Sequence, residues 1–329
     1  MSKRIIDNFG RVHNYLRISL TDNCNLRCFY CMPEEEYAFT PHAKLMQVDE
    51  IGKLAKLFAD HGVTKIRLTG GEPLVRKDAP EIIRSLSKLP VELTMTTNGI
   101  RIDDMLPQIV DAGFSSINIS LDTLQPDKFF RITRRDYFDR VRRNIELLLE
   151  KQVQTKLNVV VMKGLNDDEI LDFVELTRLY PIEVRFIEFM PFSGNRWSSN
   201  QVLTLNEILD RIGSAYDIEP IPPKPNDTSK PFAIAGHMGK IAVISTMTAP
   251  FCESCNRIRL TADGKLKNCL FSKEETDLLS ALRNGEDVLP LIQQSIRSKA
   301  ESLGGQLTKD FKDIETDSLK NRSMITIGG

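Results

Sequence analysis

Tyr15-Leu16-Arg17-Ile18-Ser19-Leu20-Thr21-Asp22-Asn23-Cys24-Asn25-Leu26-Arg27-Cys28-Phe29-Tyr30-Cys31 runs from a short strand-like segment straight into a C-x3-C-x2-C loop. Residues 15–20 read as a strand, so Cys24 opens a loop at a strand's C-terminal end. In α/β proteins that end is where sites are built. The loop is short enough for its three sulfurs to converge on one centre. Three thiolates are one short of the four that a closed zinc or iron–sulfur site takes, and the open position can bind a substrate or cofactor.

Outward from this loop, strand-like and helical segments alternate. Residues 15–20, 65–68, 91–96, 116–121, 157–161 and 184–189 read as strands, and 49–60, 79–86, 103–112, 138–151 and 167–179 as amphipathic helices. Asp49 and Asp167 signal helix starts, and Gly62 and Gly113 follow helix ends. Crossovers of this length imply parallel strands. Six strands are too few for a complete eight-fold barrel. The expected fold is therefore α/β, a partial TIM-type βα barrel, with a smaller C-terminal α+β segment closing its mouth. A doubly wound sheet is the alternative, and periodicity alone does not separate the two. Ile221-Pro222-Pro223-Lys224-Pro225-Asn226-Asp227 breaks the pattern. It divides a core at 1–222 from a C-terminal region at 223–329, with a strand near 240–245 and helices near 274–284 and 291–303. The end, Met324-Ile325-Thr326-Ile327-Gly328-Gly329, is apolar and then flexible.

Composition narrows the class. The chain has 329 residues, 41% hydrophobic and 27% charged, as in a globular protein. A net charge of −1 gives no global case for nucleic acid or an anionic membrane. The N-terminus carries no apolar stretch of the secretory kind, and no run reaches the length of a membrane span. The expected location is cytoplasmic, where close cysteines read as metal binding or catalysis rather than disulfides.

The remaining three of the six cysteines form a second group, Cys252-Glu253-Ser254-Cys255 with Cys269. Arg257 and Arg259 follow at alternate positions and point the same way from a strand. Either group could instead be a Cys3His zinc site, with His13 or His42 for the first and His237 for the second. Arg17, Lys65, Arg67, Lys156 and Arg185 lie within or at the edge of apolar strands. Buried cations need partners. Glu183 and Glu188 are available, and solvent-facing sides are another outlet, but several cations across one sheet favour a shared anionic ligand. No P-loop is present to hold it. Gly70-Gly71-Glu72-Pro73 lets backbone approach a ligand closely or forms a plain turn. Thr96-Thr97-Asn98-Gly99 offers hydroxyls to a sugar or phosphate, or is a common Asn-Gly turn.

The cysteine loop, the Gly-Gly-Glu element and Arg185-Phe186-Ile187-Glu188-Phe189-Met190 resemble the radical S-adenosylmethionine superfamily. With Phe251-Cys252-x2-Cys255-Asn256-Arg257-x-Arg259 and the terminal Ile327-Gly328-Gly329, the likeness narrows to the GTP-cyclising family that opens molybdenum-cofactor biosynthesis. It covers nearly the whole chain; the Pro-rich stretch near residue 223 is the least family-like part and reads as a variable loop. The resemblance implies two 4Fe-4S clusters, on Cys24, Cys28 and Cys31 and on Cys252, Cys255 and Cys269. It assigns S-adenosylmethionine to the open iron of the first, with Tyr30, Gly71, Ser120 and Met190 as cofactor contacts. It assigns GTP to the second, with Arg17, Arg67, Thr96, Lys156, Arg257 and Arg259 as substrate contacts and Arg17 also catalytic as a proton donor. It implies that the Gly-Gly tail enters the site. It further implies a reductant such as flavodoxin or ferredoxin, a homodimer, and the next enzyme of the molybdopterin pathway as a partner.

Overall fold

The computed structural model describes residues 4–32, 37–308, 310–314 and 319–328. Strands and helices alternate as β1 (Tyr15–Ser19), α1 (Val48–Asp60), β2 (Lys65–Thr69), α2 (Ala79–Leu86), β3 (Glu92–Thr97), α3 (Ile102–Asp111), β4 (Ser116–Ser120), α4 (Pro126–Thr133), α5 (Phe138–Glu150), β5 (Thr155–Val161), α6 (Ile170–Leu179) and β6 (Glu183–Glu188). These strands lie side by side in chain order, and every neighbouring pair is parallel. A doubly wound sheet would reverse its winding at a switch point. None occurs here, so the sheet winds one way, as in a barrel.

The period of two along each strand separates two surfaces. Leu16, Ile18, Ile66, Leu68, Ile117, Ile119, Val184 and Phe186 are fully buried in the main apolar core. Burial of such a side chain stabilises the fold by roughly 1.5–3 kcal/mol. The intervening positions carry Arg17, Arg67, Thr96, Asn118, Lys156, Asn158 and Arg185, all lining a cavity. A closed TIM barrel fills this lumen with apolar layers. Here polar and charged side chains keep it open.

The rest of the chain extends the sheet at both edges. It contributes α7 (Leu205–Gly213), β7 (Ile218–Pro220), β8 (Lys230–Ile234), β9 (Lys240–Ile244), β10 (Arg257–Leu260), β11 (Lys265–Lys267), β12 (Thr276–Asp277), α8 (Leu278–Arg283), α9 (Leu289–Arg297) and α10 (Met324–Ile327). The full order is β12-β11-β10-β1-β2-β3-β4-β5-β6-β9-β8-β7. β10 pairs parallel with β1, and β9 parallel with β6. The parallel run is thus longer than the six strands read from the sequence. It stays open because antiparallel β11–β12 and β7–β8 occupy its edges. The partial barrel is therefore the observed architecture.

Several local expectations are corrected. Gln47, not Asp49, takes the N-cap position of α1 and forms a capping box with Glu50; Asp167 opens a 3-10 turn capped by Asn166, and Glu169 takes the N-cap position of α6. The helix expected at 274–284 begins only at Leu278, because Thr276 and Asp277 pair with β11 and Asp277 then caps α8. α9 ends at Arg297, short of the expected 303. The apolar part of the tail forms the short helix α10, with Ile325 and Ile327 buried, and Gly328, read as flexible, is buried behind it. Gly329 lies outside the described residues. Among the described residues, no helix is long and apolar enough to cross a membrane.

Candidate active site

Strand register assembles the cations. Arg259, Arg17 and Arg67 sit side by side across β10, β1 and β2, and Arg257, Tyr15 and Lys65 form the row two residues earlier. Arg67 donates from Nε to the Tyr15 hydroxyl at 2.5 Å and from Nη1 to the Met95 carbonyl at 2.8 Å and Thr96 Oγ1 at 3.2 Å. None of these partners is a carboxylate. Arg259 is buried and donates to the Gly328 carbonyl at 2.5 Å; burial, then the Arg257 charge, lowers its pKa to about 10. Burial and then Arg259 likewise push Arg17 well below its ordinary value. Burial raises the Tyr15 phenol, but Arg67 and Arg17 outweigh it and bring it down to about 7.

Other cations do have carboxylates. Glu183 lies 2.5 Å from Arg185 and 3.2 Å from Lys156, and Lys65 lies 2.9 Å from Glu92. Burial opposes ionisation of Glu183, yet Arg185 and Lys156 hold it down at about 2. Glu188, the other candidate partner, instead accepts from the backbone N–H groups of Leu205, Met247 and Thr248. Internal pairing therefore accounts for Lys65, Lys156 and Arg185 but not for Arg67 and Arg259. The cavity of about 360 Å³ is lined by Arg17, Lys65, Arg67, Lys156, Arg185, Arg257 and Arg259, against one carboxylate, Asp227, among its described lining residues. Such an excess suits a polyanion.

The first cysteine group lines an adjoining cavity with Tyr30, Gly70, Gly71, Thr96, Asn98, Ser120 and Asp122. All three thiols are free. Burial and then the neighbouring thiols raise the pKa of Cys28, burial and then Cys24 raise that of Cys31, and burial and then Glu72 push Cys24 up to about 11. Thiolates crowded in this way call for a cationic centre to hold them ionised. The paired glycines have a local reason. A Cβ on Gly71 would stand 2.5 Å from the carbonyl oxygens of Asp22 and Asn23, and one on Gly70 would stand 2.5 Å from that of Thr21. The Gly-Gly turn thus seats the strand end directly against the segment leading into the cysteines. Glu72 braces it, accepting from Leu74 N, Thr97 Oγ1 and Asn98 N at 3.0, 2.8 and 2.6 Å. Tyr30 donates its hydroxyl to Asp122 Oδ2 at 2.5 Å. Asp122, two residues past Ser120 at the end of β4, escaped the sequence reading. Its position at a strand end was the available signal.

The second group, Cys252, Cys255 and Cys269, lies in the cation-lined cavity. Burial raises the Cys255 thiol, but Arg257 and Lys299 bring it down to about 7. The Arg257 Nη2 and Lys299 Nζ atoms stand 3.2 and 3.3 Å from its sulfur. Behind the site, Arg11 donates to the carbonyls of Cys252, Glu301 and Ala300 at 2.9, 2.7 and 3.0 Å, while Asp7 holds Arg11 at 2.5 Å and His13 at 3.0 Å. Neither this brace nor Lys299 carries a motif that sequence reading could find.

No histidine completes a zinc site. His13 is engaged with Asp7, His237 bonds Thr177 Oγ1 at 2.8 Å and packs on Tyr216, and His42 sits in a 3-10 turn. Among the described residues, no three His, Cys, Asp or Glu side chains gather around one point as ligands of a single ion do. A cluster makes a different demand, because each cysteine binds a different iron. The first free-thiol triplet, whose three cysteines line one cavity, fits such a group.

Every site residue read from the sequence lines one of the two cavities. Tyr30, Gly71 and Ser120 lie with the first triplet, and Arg17, Arg67, Lys156, Arg257 and Arg259 with the second. Met190, expected at the cofactor, lies on the second cavity. Thr96 and Met324 line both, so the cavities adjoin. The loop between β7 and β8, read as a break and a variable loop, brings Pro225, Asn226, Asp227, Thr228 and Ser229 to the second cavity.

Comparison with known proteins adds the following. Residues 18–177 match the model of the Radical SAM superfamily, and residues 182–304 that of Molybdenum Cofactor Synthesis C. The chain is 48% identical over 336 residues to "GTP 3',8-cyclase, mitochondrial" of Arabidopsis thaliana, covering 100% of this chain and 84% of that one. It is 42% identical over 336 residues to "GTP 3',8-cyclase" of Peptoclostridium acidaminophilum, covering 99% and 98%. To "Molybdenum cofactor biosynthesis protein 1" of Homo sapiens it is 46% identical over 330 residues, covering 98% of this chain and 51% of that longer protein. The chain thus spans about half the length of that relative. Among solved structures, Streptococcus suis SuiB bound to precursor peptide SuiA aligns with a TM-score of 0.64 at 14% identity, over 97% of this chain and 72% of that one. At that identity the likeness concerns the fold.

Proposed function

The chain belongs to the GTP 3′,8-cyclase family of radical S-adenosylmethionine enzymes, and from that membership we propose that it converts GTP to 3′,8-cyclo-7,8-dihydro-GTP, the first step of molybdopterin biosynthesis. The observation that carries the proposal is the pair of adjoining cavities, one lined by each cysteine triplet, with the cation rows on the wall of the second. Cys24, Cys28 and Cys31 would hold a 4Fe-4S cluster with S-adenosylmethionine on its open iron. Bound there and cleaved reductively, that cofactor would supply the radical chemistry that takes the C3′ hydrogen of GTP.

The chain's own residues do the rest. Arg67, Lys156 and the other cations of the rows hold the triphosphate, which several fixed donors orient better than one. Cys252, Cys255 and Cys269 would hold a second 4Fe-4S cluster on the wall of the cation-lined cavity, where it would supply a metal centre for binding the guanine. Arg257 and Arg259 complete the substrate site with Thr96. Arg17, in the middle of the arginine row, donates the proton when the cyclised product radical is reduced. Tyr30, Gly71, Ser120 and Met190 are the cofactor contacts. Residues 1–222 form the radical core and 223–329 the substrate and second-cluster region. A flavodoxin- or ferredoxin-type reductant, a homodimer and transfer of product to the next enzyme of the pathway belong to the same reading.

A peptide-modifying radical enzyme is the rival. A lumen with several cations and, among the described residues, one lining carboxylate favours a triphosphate over a peptide. The test is anaerobic incubation with GTP, S-adenosylmethionine and dithionite. 5′-Deoxyadenosine and a cyclised nucleotide should form only when GTP is present. Equal 5′-deoxyadenosine with and without GTP would contradict the proposal.

A further inference from the structure

Among the described residues, three lysines are almost fully buried: Lys128 at 4% exposure, Lys267 at 1% and Lys299 at 3%. A buried ammonium needs a compensating negative charge. Lys128 has Asp168 at 2.8 Å and Glu169 at 2.7 Å. Lys267 has Glu275 at 3.5 Å and the Ser272 carbonyl at 2.6 Å. Lys299 differs. Its Nζ donates to the Arg257 carbonyl at 3.1 Å and lies 3.3 Å from Cys255 Sγ, and among the described residues it forms no ion pair with a carboxylate. The carboxylate of the neighbouring brace, Asp7, is already bound to Arg11 and His13. The remaining negative charge within reach is sulfur.

We propose that Lys299 is the charge partner of the second cluster, fixing its reduction potential through an N–H···S contact with Cys255. This rests on the reading that Cys252, Cys255 and Cys269 hold an iron–sulfur cluster. Such a cluster with three thiolates is anionic and becomes more so on reduction, so an adjacent ammonium favours the reduced form and raises the potential. Asp122 lines the cavity of the first triplet, whose neighbouring Arg27 donates to the carbonyls of Cys24 and Leu26. Lys299 does not line the substrate cavity, so it acts on the cluster from behind as a positioning residue and not on GTP.

The test compares the reconstituted wild type with Lys299→Met and Lys299→Arg. Iron is counted, and the second cluster's potential is read by an EPR-monitored redox titration, its signal being the one that GTP perturbs. About eight irons per chain are expected in all three. Lys299→Met should lower the ratio of reduced to oxidised second cluster at a fixed potential about tenfold, which is 59 mV for a one-electron couple. Lys299→Arg should stay near wild type. Loss of the second cluster from the Met variant but not the Arg variant would also support the proposal, since only the charge differs in kind. An unchanged potential in Lys299→Met, or cluster loss in both variants, would overturn it while leaving the two-cluster reading intact. About four irons in the wild type would overturn both.

Discussion

Arg259 Nη1 donates to the carbonyl of Gly328 at 2.5 Å, tying the penultimate residue to the strand that follows the second cysteine pair. Gly328 has no room for a side chain: a Cβ would stand 2.4 Å from Thr69 Oγ1 and 3.2 Å from Ser19 Cβ, and its φ of +82° disfavours any other residue. Gly328→Ala should therefore displace the tail from the junction of the two cavities. Turnover should fall on the order of 10²-fold, as misplacement of reacting groups by about 1 Å does. Iron content should be unchanged. Wild-type turnover in Gly328→Ala would show that the tail is not part of the site.

Arg67 is buried, and it donates to a phenol, a carbonyl and a hydroxyl. Its charge is the natural counterpart of a phosphate. Arg67→Met should weaken GTP binding by about 1.5–3 kcal/mol, or roughly 10–100-fold. Binding of guanosine should change far less. Calorimetry with both ligands checks this, and an equal loss for both would place Arg67 away from the triphosphate.

The brace behind the second triplet makes stability depend on pH. Burial, and then the Lys299 charge, lower His13 to about 4, below the ordinary value of 6.5. The folded protein therefore holds His13 neutral, while the unfolded chain takes up a proton as pH falls through 6.5. Stability is full above that value and is lost between about 6.5 and 4, by roughly 3 kcal/mol in all. Denaturant unfolding at pH 7 and pH 5 should show the loss in wild type and a smaller one in His13→Gln. The same slope in both proteins would contradict this role for His13.

The barrel core was legible because its strands follow one another in the chain. A period-two strand, a short loop and an amphipathic helix are local signals, and β1 to β6 each appeared within a residue or two of their observed limits. α7 was legible too, through the capping box in which Thr204 accepts from Glu207 N and Glu207 reaches back, but it was not read. β10 was different. Its neighbour is β1, more than two hundred residues earlier, and no local pattern announces that pairing. Arg257 and Arg259 were picked out by their alternation. That they align with Tyr15 and Arg17 is a property of the register alone.

The site divides in the same way. The cysteines, the glycine pair and the strand cations have spacing that chemistry can interpret. Asp7, Arg11, His13 and Lys299 have none, because their meaning lies in contacts between the two ends of the chain. Glu183 and Glu188 were equal candidates as ion-pair partners. Packing separated them: Glu183 faces Lys156 and Arg185, whereas Glu188 binds backbone N–H groups of the segments beside it.

The central claim is that the two cysteine-lined cavities are one reaction chamber, with the cofactor's radical in the first and the C3′ carbon of GTP within its reach from the second. Turnover of GTP carrying deuterium at C3′ tests this most directly. Mass spectrometry should find that deuterium in the 5′-deoxyadenosine, with none from solvent, in the wild-type protein. 5′-Deoxyadenosine without the label, formed at the same rate, would contradict the account.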